Sequence, residues 1–379
     1  MARRILFVAA LHHPEALRAA VERTPAGAPP PLFPPSVSQH FWERALRRRG
    51  YALDIFYRNL PPGGAVRAQR HRAGLTPAKA LAALAARLSP HLNPEYRRRN
   101  AALLQKALSF RPDALWLVGD NTVIYPQTLA AIKDATGCAL IYASGTSPVV
   151  FSRPIERQAA PLYDLALVND YYHGVQWLEL GAQRMACLPL SACDPDFHHP
   201  YDLAPAERAA YTCDIAFVGT LLPDNLYSRR VRALEALADL DLGIWSVHEV
   251  PPSLRRFLRG PALGETMLRV LAAAKLTVNP HGNFMRYGGN MRLFEAAGVG
   301  TLQLTDDLPG VRQWFTPGET VVTYTNPADL RAKAAHYLAR DDERNALAAA
   351  ARAHVYARHT YEQRVDAFEA LLRDLRPGG

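Results

Sequence analysis

With 379 residues the chain is roughly two to three times the length of a common domain, so two domains are expected. Its 49% hydrophobic and 21% charged content excludes wholesale disorder, collagen and coiled coil, and apolar runs such as Ile5 to Leu11 stay well under the ~18 residues that cross a bilayer. The net charge of +9 favours a polyanionic partner, with nucleic acid, an anionic membrane surface and phosphorylated substrates all open.

The run from Ile5 is broken by His12-His13-Pro14 with no small-residue cleavage site behind it. That reads as the first strand of a cytoplasmic protein. The connection that follows, to Ser38, is long and proline-rich. Ser38 then opens a helix through Arg49 with the stripe Phe41, Trp42, Ala45 and Leu46, and Gly50 suits its left-handed end. A strand over Tyr51 to Tyr57, helices over Ala78 to Leu88 and Pro94 to Leu108, and strands over Ala114 to Val118 and Cys138 to Ala143 follow, with a helix from Pro126 to Gly137 between the last two. Leu165 to Val168, a helix near Tyr171 to Leu180, and Met185 to Leu190 continue the series. Ser191 to Pro200 is polar and twice punctuated by proline, as an interdomain linker would be.

A second series starts at Cys213. It places strands at Ile215 to Val218, Leu242 to Val247, Leu276 to Asn279, Thr301 to Leu304 and Val321 to Tyr324. Helices are expected over Asn225 to Ala238, Thr266 to Ala274 and from Met291, with three more near Pro327 to Ala339, Asp341 to Tyr356 and Tyr361 to Leu375. Strands alternating with helices build parallel sheets covered on both faces, and two such halves face each other across a cleft. The four cysteines, Cys138, Cys187, Cys193 and Cys213, match no CxxC or zinc spacing and read as buried thiols. Arg47 to Arg49 and Arg97 to Arg99 read as solvated helix faces, and no zinc finger, helix-turn-helix or RNP-like motif accompanies them, which argues against nucleic acid.

The stretch Gly264 to Asp306 carries the most chemistry. Gly288-Gly289-Asn290 closes a loop and opens a helix whose first turns offer backbone N–H groups and Arg292 to an anion such as a diphosphate. Glu295 shares a face with Arg292 and, as an acceptor, suits ribose hydroxyls. The plainer alternative is an amphipathic helix with a surface Arg292–Glu295 pair worth about 0.2–0.5 kcal/mol, and spacing does not separate the two. The GVG at Gly298 closes a helix where a dinucleotide fingerprint would open one, which disfavours a dehydrogenase. Asp194-Pro195-Asp196 and Asp239-Leu240-Asp241 fit the DxD pattern of metal-dependent sugar transferases but read as turn and cap residues, so no metal site is expected.

The blocks GETMLRVLAAAKLTVNPHG and GNMRLFEAAGVGTLQLTDDLPGVRQWFTPGETVVTY, with ARHTYEQR in the tail, resemble the C-terminal half of GT-B fold glycosyltransferases over roughly Cys213 to Arg364. They are similar in particular to the glycosyl-transferases group 1 and CgeB-like (spore maturation protein) branch. The resemblance implies an α/β protein of GT-B architecture, two Rossmann-like doubly wound domains facing across a cleft. Its expected divisions are an acceptor domain over 1–198, a nucleotide-sugar donor domain over 199–360, and a C-terminal helix over 361–379 that packs back toward the first domain.

The resemblance further implies metal-independent hexosyl transfer from a nucleoside diphosphate sugar, a co-substrate rather than a cofactor, to a glycan, lipid-linked or protein acceptor. Peripheral membrane contact through Arg97 to Arg99 is compatible with it. It assigns Glu295 to the ribose, Asn290 and Arg292 to the donor phosphates, and Gly219 and Thr220 to the turn after the first donor-domain strand; a metal-free site also needs cations for the leaving diphosphate, such as Arg286 and either Arg229 or Arg230. His281 faces the departing phosphate or the sugar, or is simply packed against Tyr287. His12 or His13 removes the acceptor proton, with Asp120 and Ser144 as other acceptor-side candidates, although Asp120 or Asn121 is as well explained by helix capping. Many retaining GT-B enzymes carry a second Glu eight residues before the one matched by Glu295. Here Tyr287 stands there, which leaves the stereochemistry open and keeps a catalytically silent nucleotide-sugar-binding protein as the alternative.

Overall fold

The computed structural model describes residues 3–11, 37–59 and 93–375. His12, His13, the proline tract and the helix expected over Ala78 to Leu88 lie outside the described residues.

The first sheet is formed by β1 (Arg4–Ala9), β2 (Ala52–Tyr57), β3 (Ala114–Val118), β4 (Ala139–Ser144), β5 (Leu165–Val168) and β6 (Met185–Cys187), all parallel in the order β2-β1-β3-β4-β5-β6. Helices α1 (Val37–Arg48), α2 (Pro94–Phe110), α3 (Pro126–Thr136), α4 (Pro154–Ala159) and α5 (Tyr171–Glu179) connect its strands. Parallel strands buried on both faces read as unbroken apolar runs, and β1 shows why. Ile5 and Phe7 point to one face, against Trp42 and Trp116, while Leu6 and Val8 point to the other, in a cluster with Tyr142 and Trp177. All four apolar residues of the expected α1 stripe are buried, and Gly50 and Gly137 end α1 and α3 at φ of 81° and 68°.

The second sheet has the order β12-β11-β10-β7-β8-β9 and is again parallel. Its strands are β7 (Ile215–Val218), β8 (Leu242–Trp245), β9 (Leu258–Gly260), β10 (Leu276–Asn279), β11 (Leu302–Asp306) and β12 (Val322–Tyr324). Around it lie α6 (Pro205–Tyr211), α7 (Asp224–Glu235), α8 (Glu265–Ala273), α9 (Arg292–Val299), α10 (Pro309–Trp314), α11 (Pro327–Leu338) and α12 (Asp341–Arg358). The last helix, α13 (Tyr361–Asp374), leaves this sheet and packs on α1 of the first. Tyr361 lies 5.1 Å from Phe41 and Phe368 lies 4.9 Å from Trp116 between ring centroids, and Arg48 and Arg49 pair with Glu362 and Asp366.

Several features differ from the sequence expectation. Strand β6 stops at Cys187, because Pro189 has no N–H to continue a ladder. The segment 191–200 is a packed crossing: Cys193 bridges Thr360, its N–H donates to the His359 carbonyl at 2.7 Å, and Asp194 and His198 are buried. The chain therefore passes between the domains twice, side by side. The short helices α4, α6 and α10 were not expected. Each begins on a proline at the first turn, where the missing N–H costs nothing.

Candidate functional site

Open α/β sheets bind ligands outside the carboxyl ends of their strands, at the point where strand order reverses. In the second sheet that point falls between β7 and β10, so the crevice is framed by Gly219-Thr220 and Pro280-His281. In the first sheet it falls between β1 and β3, framed by Leu11 and Asp120.

The two crevices differ in chemistry. The first is closed by Arg58, whose buried guanidinium donates to the carbonyls of Val118 at 2.7 Å, Gly119 at 2.6 Å and Asp120 at 2.9 Å. Among the described residues no carboxylate is hydrogen-bonded to it, and burial lowers its pKa from the ordinary value. Asp120 sits above this plug, exposed and in the left-handed region at φ 64°. Neither Asp120 nor Asn121 caps α3, whose N-cap is Tyr125 and carries no side-chain cap bond; Asn121 instead closes the turn before it, its side-chain oxygen accepting the N–H groups of Val123 and Ile124.

In the second crevice His281 is completely buried, and among the described residues neither ring nitrogen has a hydrogen-bond partner. Its backbone N–H donates to both oxygens of Asp306 at 3.1 Å, and its Nδ1 stands 3.8 Å from Asp306 Oδ2. Asp306 also accepts from the Tyr324 hydroxyl at 2.9 Å and pairs with Arg229 at 3.3 Å. Burial alone would raise this carboxyl, but the neighbouring His281, Tyr324 and Arg229 outweigh it and hold Asp306 below the usual carboxylate range. Arg230 ties the crevice walls together, donating to Pro280 O and Thr220 O at 2.9 Å each, and burial lowers its pKa.

Helix α9 enters the same crevice. Arg292 and Glu295 do form the i,i+3 pair, at 2.6 Å, but inside the protein: Glu295 is buried, and Arg292 also reaches Val218 O at the end of β7 with its Nε unpartnered. Asn290 exchanges side-chain hydrogen bonds with Asn279 of β10 at 2.8 and 3.1 Å, and its Oδ1 accepts the Leu293 N–H, so it fixes the start of α9 to the sheet. Gly298 lies against Cys193 and His198 of the crossing segment. Arg286 is exposed and lines a cavity of about 720 Å³ between the domains, together with Ser147, Val149, Tyr172, His173 and Phe284. Tyr287 turns away from the crevice. Its hydroxyl donates to Gln313, and its ring lies edge-on to Trp314.

On the first-domain side a cavity of about 260 Å³ opens past β3 and β4, lined by Asp120, Ser144, Thr146, Ser147, Glu156 and Trp177 among others. The indole N–H of Trp177 is buried without a partner. Glu156 is fully used, accepting from Tyr142 at 2.8 Å, Asn121 N–H at 2.8 Å and Arg153 N–H at 2.9 Å.

The structure thus brings Gly219, Thr220, His281, Asn290, Arg292 and Glu295 to one crevice, with Arg286 at its interdomain side, and places Asp120 and Ser144 at a separate cavity. Sequence reasoning missed Asp306, Arg58 and Asp170. Asp306 ends β11 beside His281, and the strand-end rule that selected His281 applies to it equally. Among the described residues no group of three or more His, Cys, Asp or Glu side chains is arranged to hold a metal ion. The carboxylates of both DxD pairs are held by arginines: Asp194 and Asp196 by Arg44, Asp239 by Arg331 and Asp241 by Arg259.

Residues 229–370 match the family model described as glycosyl transferase-like. No curated protein matches the chain. Solved structures match over nearly its whole length. Sucrose-phosphate synthase from Thermosynechococcus elongatus shares 14% identity at a TM-score of 0.64, covering 98% of this chain and 99% of that one. A glycosyltransferase from Rickettsia africae shares 12% identity at 0.62, covering 99% and 98%. HepE of Anabaena, solved with UDP and glucose, shares 12% identity at 0.58, covering 98% and 100%. The architecture is GT-B. In the GT-B frame the two sheets are Rossmann-like domains whose strand ends face each other across a cleft, and the crevice at β7 and β10 belongs to the C-terminal domain. No helix among the described residues is long and apolar enough to cross a membrane.

Proposed function

We propose that the protein is a glycosyltransferase of the CgeB-like branch that moves a sugar from a nucleoside diphosphate sugar, held at the β7/β10 crevice, to an acceptor hydroxyl presented by the N-terminal domain, without a metal ion. The observation that carries this reading is His281, a wholly buried imidazole with two unpartnered nitrogens among Arg229, Arg230 and Arg292 at the strand-order reversal of the second sheet. A buried polar group without a partner costs roughly 1–3 kcal/mol, a penalty a bound ligand oxygen removes. The solved complexes of HepE with UDP and with UDP-glucose support the choice of ligand.

In the transfer the acceptor oxygen bonds to the anomeric carbon as the bond from that carbon to the diphosphate breaks, and the acceptor proton passes to a base. Negative charge grows on the leaving diphosphate. In this reading His281, Arg292 and Arg286 stabilise it, a type of contribution worth several kcal/mol when the groups are already in position. Asp120, exposed at the mouth of the first-domain cavity, is the described candidate for the base or for the residue that orients it, and His12 and His13 follow the strand end across from it.

Calorimetric titration with UDP, GDP, ADP and dTDP, with and without magnesium, tests this. One nucleotide is expected to bind selectively and independently of magnesium, and His281→Ala to weaken it about tenfold or more, the value of one charge-assisted hydrogen bond. Binding of none by the folded protein would reduce the claim to fold. Tyr287, engaged with Gln313 and Trp314 where many retaining enzymes carry a carboxylate, favours the second reading, a silent nucleotide-sugar-binding protein. Turnover that vanishes in Asp120→Asn or His12→Ala would exclude it.

A further inference from the structure

Asp170 is a fully buried carboxylate at the end of β5, and its bonding crosses the domain boundary. One oxygen caps α5 by accepting the Tyr172 N–H at 3.0 Å. The other accepts three successive backbone N–H groups of the C-terminal domain, from Arg286 at 2.8 Å, Tyr287 at 2.6 Å and Gly288 at 3.3 Å. Consecutive N–H groups converging on one point form a concave anion site. The curvature here depends on Gly288 and Gly289, at φ of 113° and 95°, values that L side chains rarely adopt. A Cβ at Gly289 would stand 2.5 Å from the Asn169 carbonyl, so the two domains touch backbone to backbone beside the carboxylate. Three residues further along α5, His173 Nε2 lies 3.0 Å from the Phe284 carbonyl of the same loop.

We propose that Asp170 is a positioning residue: its carboxylate, seated in the 286–288 anion site, holds the two domains closed and gives the loop that leads into α9 its shape. The closing role stands on this geometry alone, whereas the consequence for donor affinity rests on the reading of the α9 crevice as a donor site. The carboxylate comes from one domain and all three donors on Oδ2 from the other, so opening the cleft must break a charge-assisted set. Closure and the shape of the loop are then one event, and a ligand that requires the shaped loop also selects the closed protein.

The test uses the full chain as parent, Asp170→Ala and Asp170→Asn, with amide exchange by mass spectrometry, the radius of gyration from X-ray scattering, and nucleotide titration. In Asp170→Ala the amides of 286–288 are expected to exchange about tenfold faster or more, as loss of a charge-assisted bond implies, and the radius of gyration to rise. Added acetate, a carboxylate that fits the vacated site, should slow exchange again in Asp170→Ala and leave the parent unchanged. Asp170→Asn keeps the shape and one acceptor oxygen. It should show the same changes to a smaller degree and serves if the alanine variant does not fold. A role limited to capping α5 would quicken exchange at Tyr172 and His173 only, and that pattern, or a radius equal to the parent's in both variants, overturns the proposal. Exchange and scattering decide it even if the parent binds no nucleotide, a result that would remove the donor reading and leave the latch standing.

Discussion

At the scale of single residues, the two crevices show how much a buried side chain decides. Arg58 makes the first sheet's reversal point a sealed joint, because its guanidinium satisfies carbonyls at the ends of β1 and β3 that would otherwise be buried without donors. Arg99 in turn donates to the Arg58 carbonyl at 2.7 Å and locks the turn after β2. Replacing Arg58 by Met keeps much of the volume and removes every donor, so a loss of about 3 kcal/mol or more is expected, read as a lower urea midpoint with no change in nucleotide affinity. A loss under about 1 kcal/mol would mean that water or the neighbouring chain satisfies those carbonyls instead. Asp306 does the opposite at the second reversal point. It takes the His281 N–H, the Tyr324 hydroxyl and Arg229 onto itself and leaves the imidazole edge unbonded.

At the scale of elements, α9 is held from two sides. Asn290 ties its first turn to β10, and Gly298 lets its last turn approach the crossing segment, where a Cβ would stand 2.6 Å from Cys193 Sγ and 2.8 Å from His198 Cβ. Gly298→Ala therefore overpacks a fixed contact. It should cost about 1–3 kcal/mol despite alanine's better helix propensity, and a thermal melt that moves upward instead would show the crossing to be yielding. Much of this level was legible in sequence. Strands β3, β5, β7 and β10 begin and end where the apolar runs do, and Gly288-Gly289-Asn290 announced the end of a loop and the start of a helix. The fate of the Arg292–Glu295 pair was not legible, since the same spacing serves a surface pair and a buried one and only the packing of Cys193 and His198 over the helix decides. Asp170 and Arg58 were hidden for a related reason. Their partners are backbone atoms at sequence separations of 116 to 118 and about 60 residues, and backbone atoms carry no signature in the sequence.

At the scale of the whole molecule, the paired crossings make interdomain packing sensitive to acid. His359 lies in the second crossing, its Nε2 2.9 Å from the Trp314 carbonyl and its Nδ1 3.3 Å from Arg364 Nη2. Burial, then the nearby Arg364, lowers its pKa to about 3. A histidine held below its unfolded value takes up its proton more readily when unfolded. Its stabilisation is therefore complete above about pH 6.5 and is lost as the pH falls toward the folded value. Between pH 7.5 and 5 this one group should remove about 2 kcal/mol, and His359→Gln, which keeps a donor for Trp314 O, should flatten that part of the profile in urea melts at the two pH values. An unchanged slope in the variant would assign the acid sensitivity elsewhere, with the buried His198 next in line.

The position of α13 has a consequence for the order in which the protein is made. Its rings close the face of the first sheet that carries Trp42 and Trp116, yet some 170 residues of the second domain separate it from β6. At roughly 5–20 residues per second a ribosome needs on the order of 10–35 seconds to cover that distance. Through that interval the earlier half waits with an aromatic surface uncovered, a window in which a chaperone or a neighbouring nascent chain can reach it before the helix that belongs there has been synthesised.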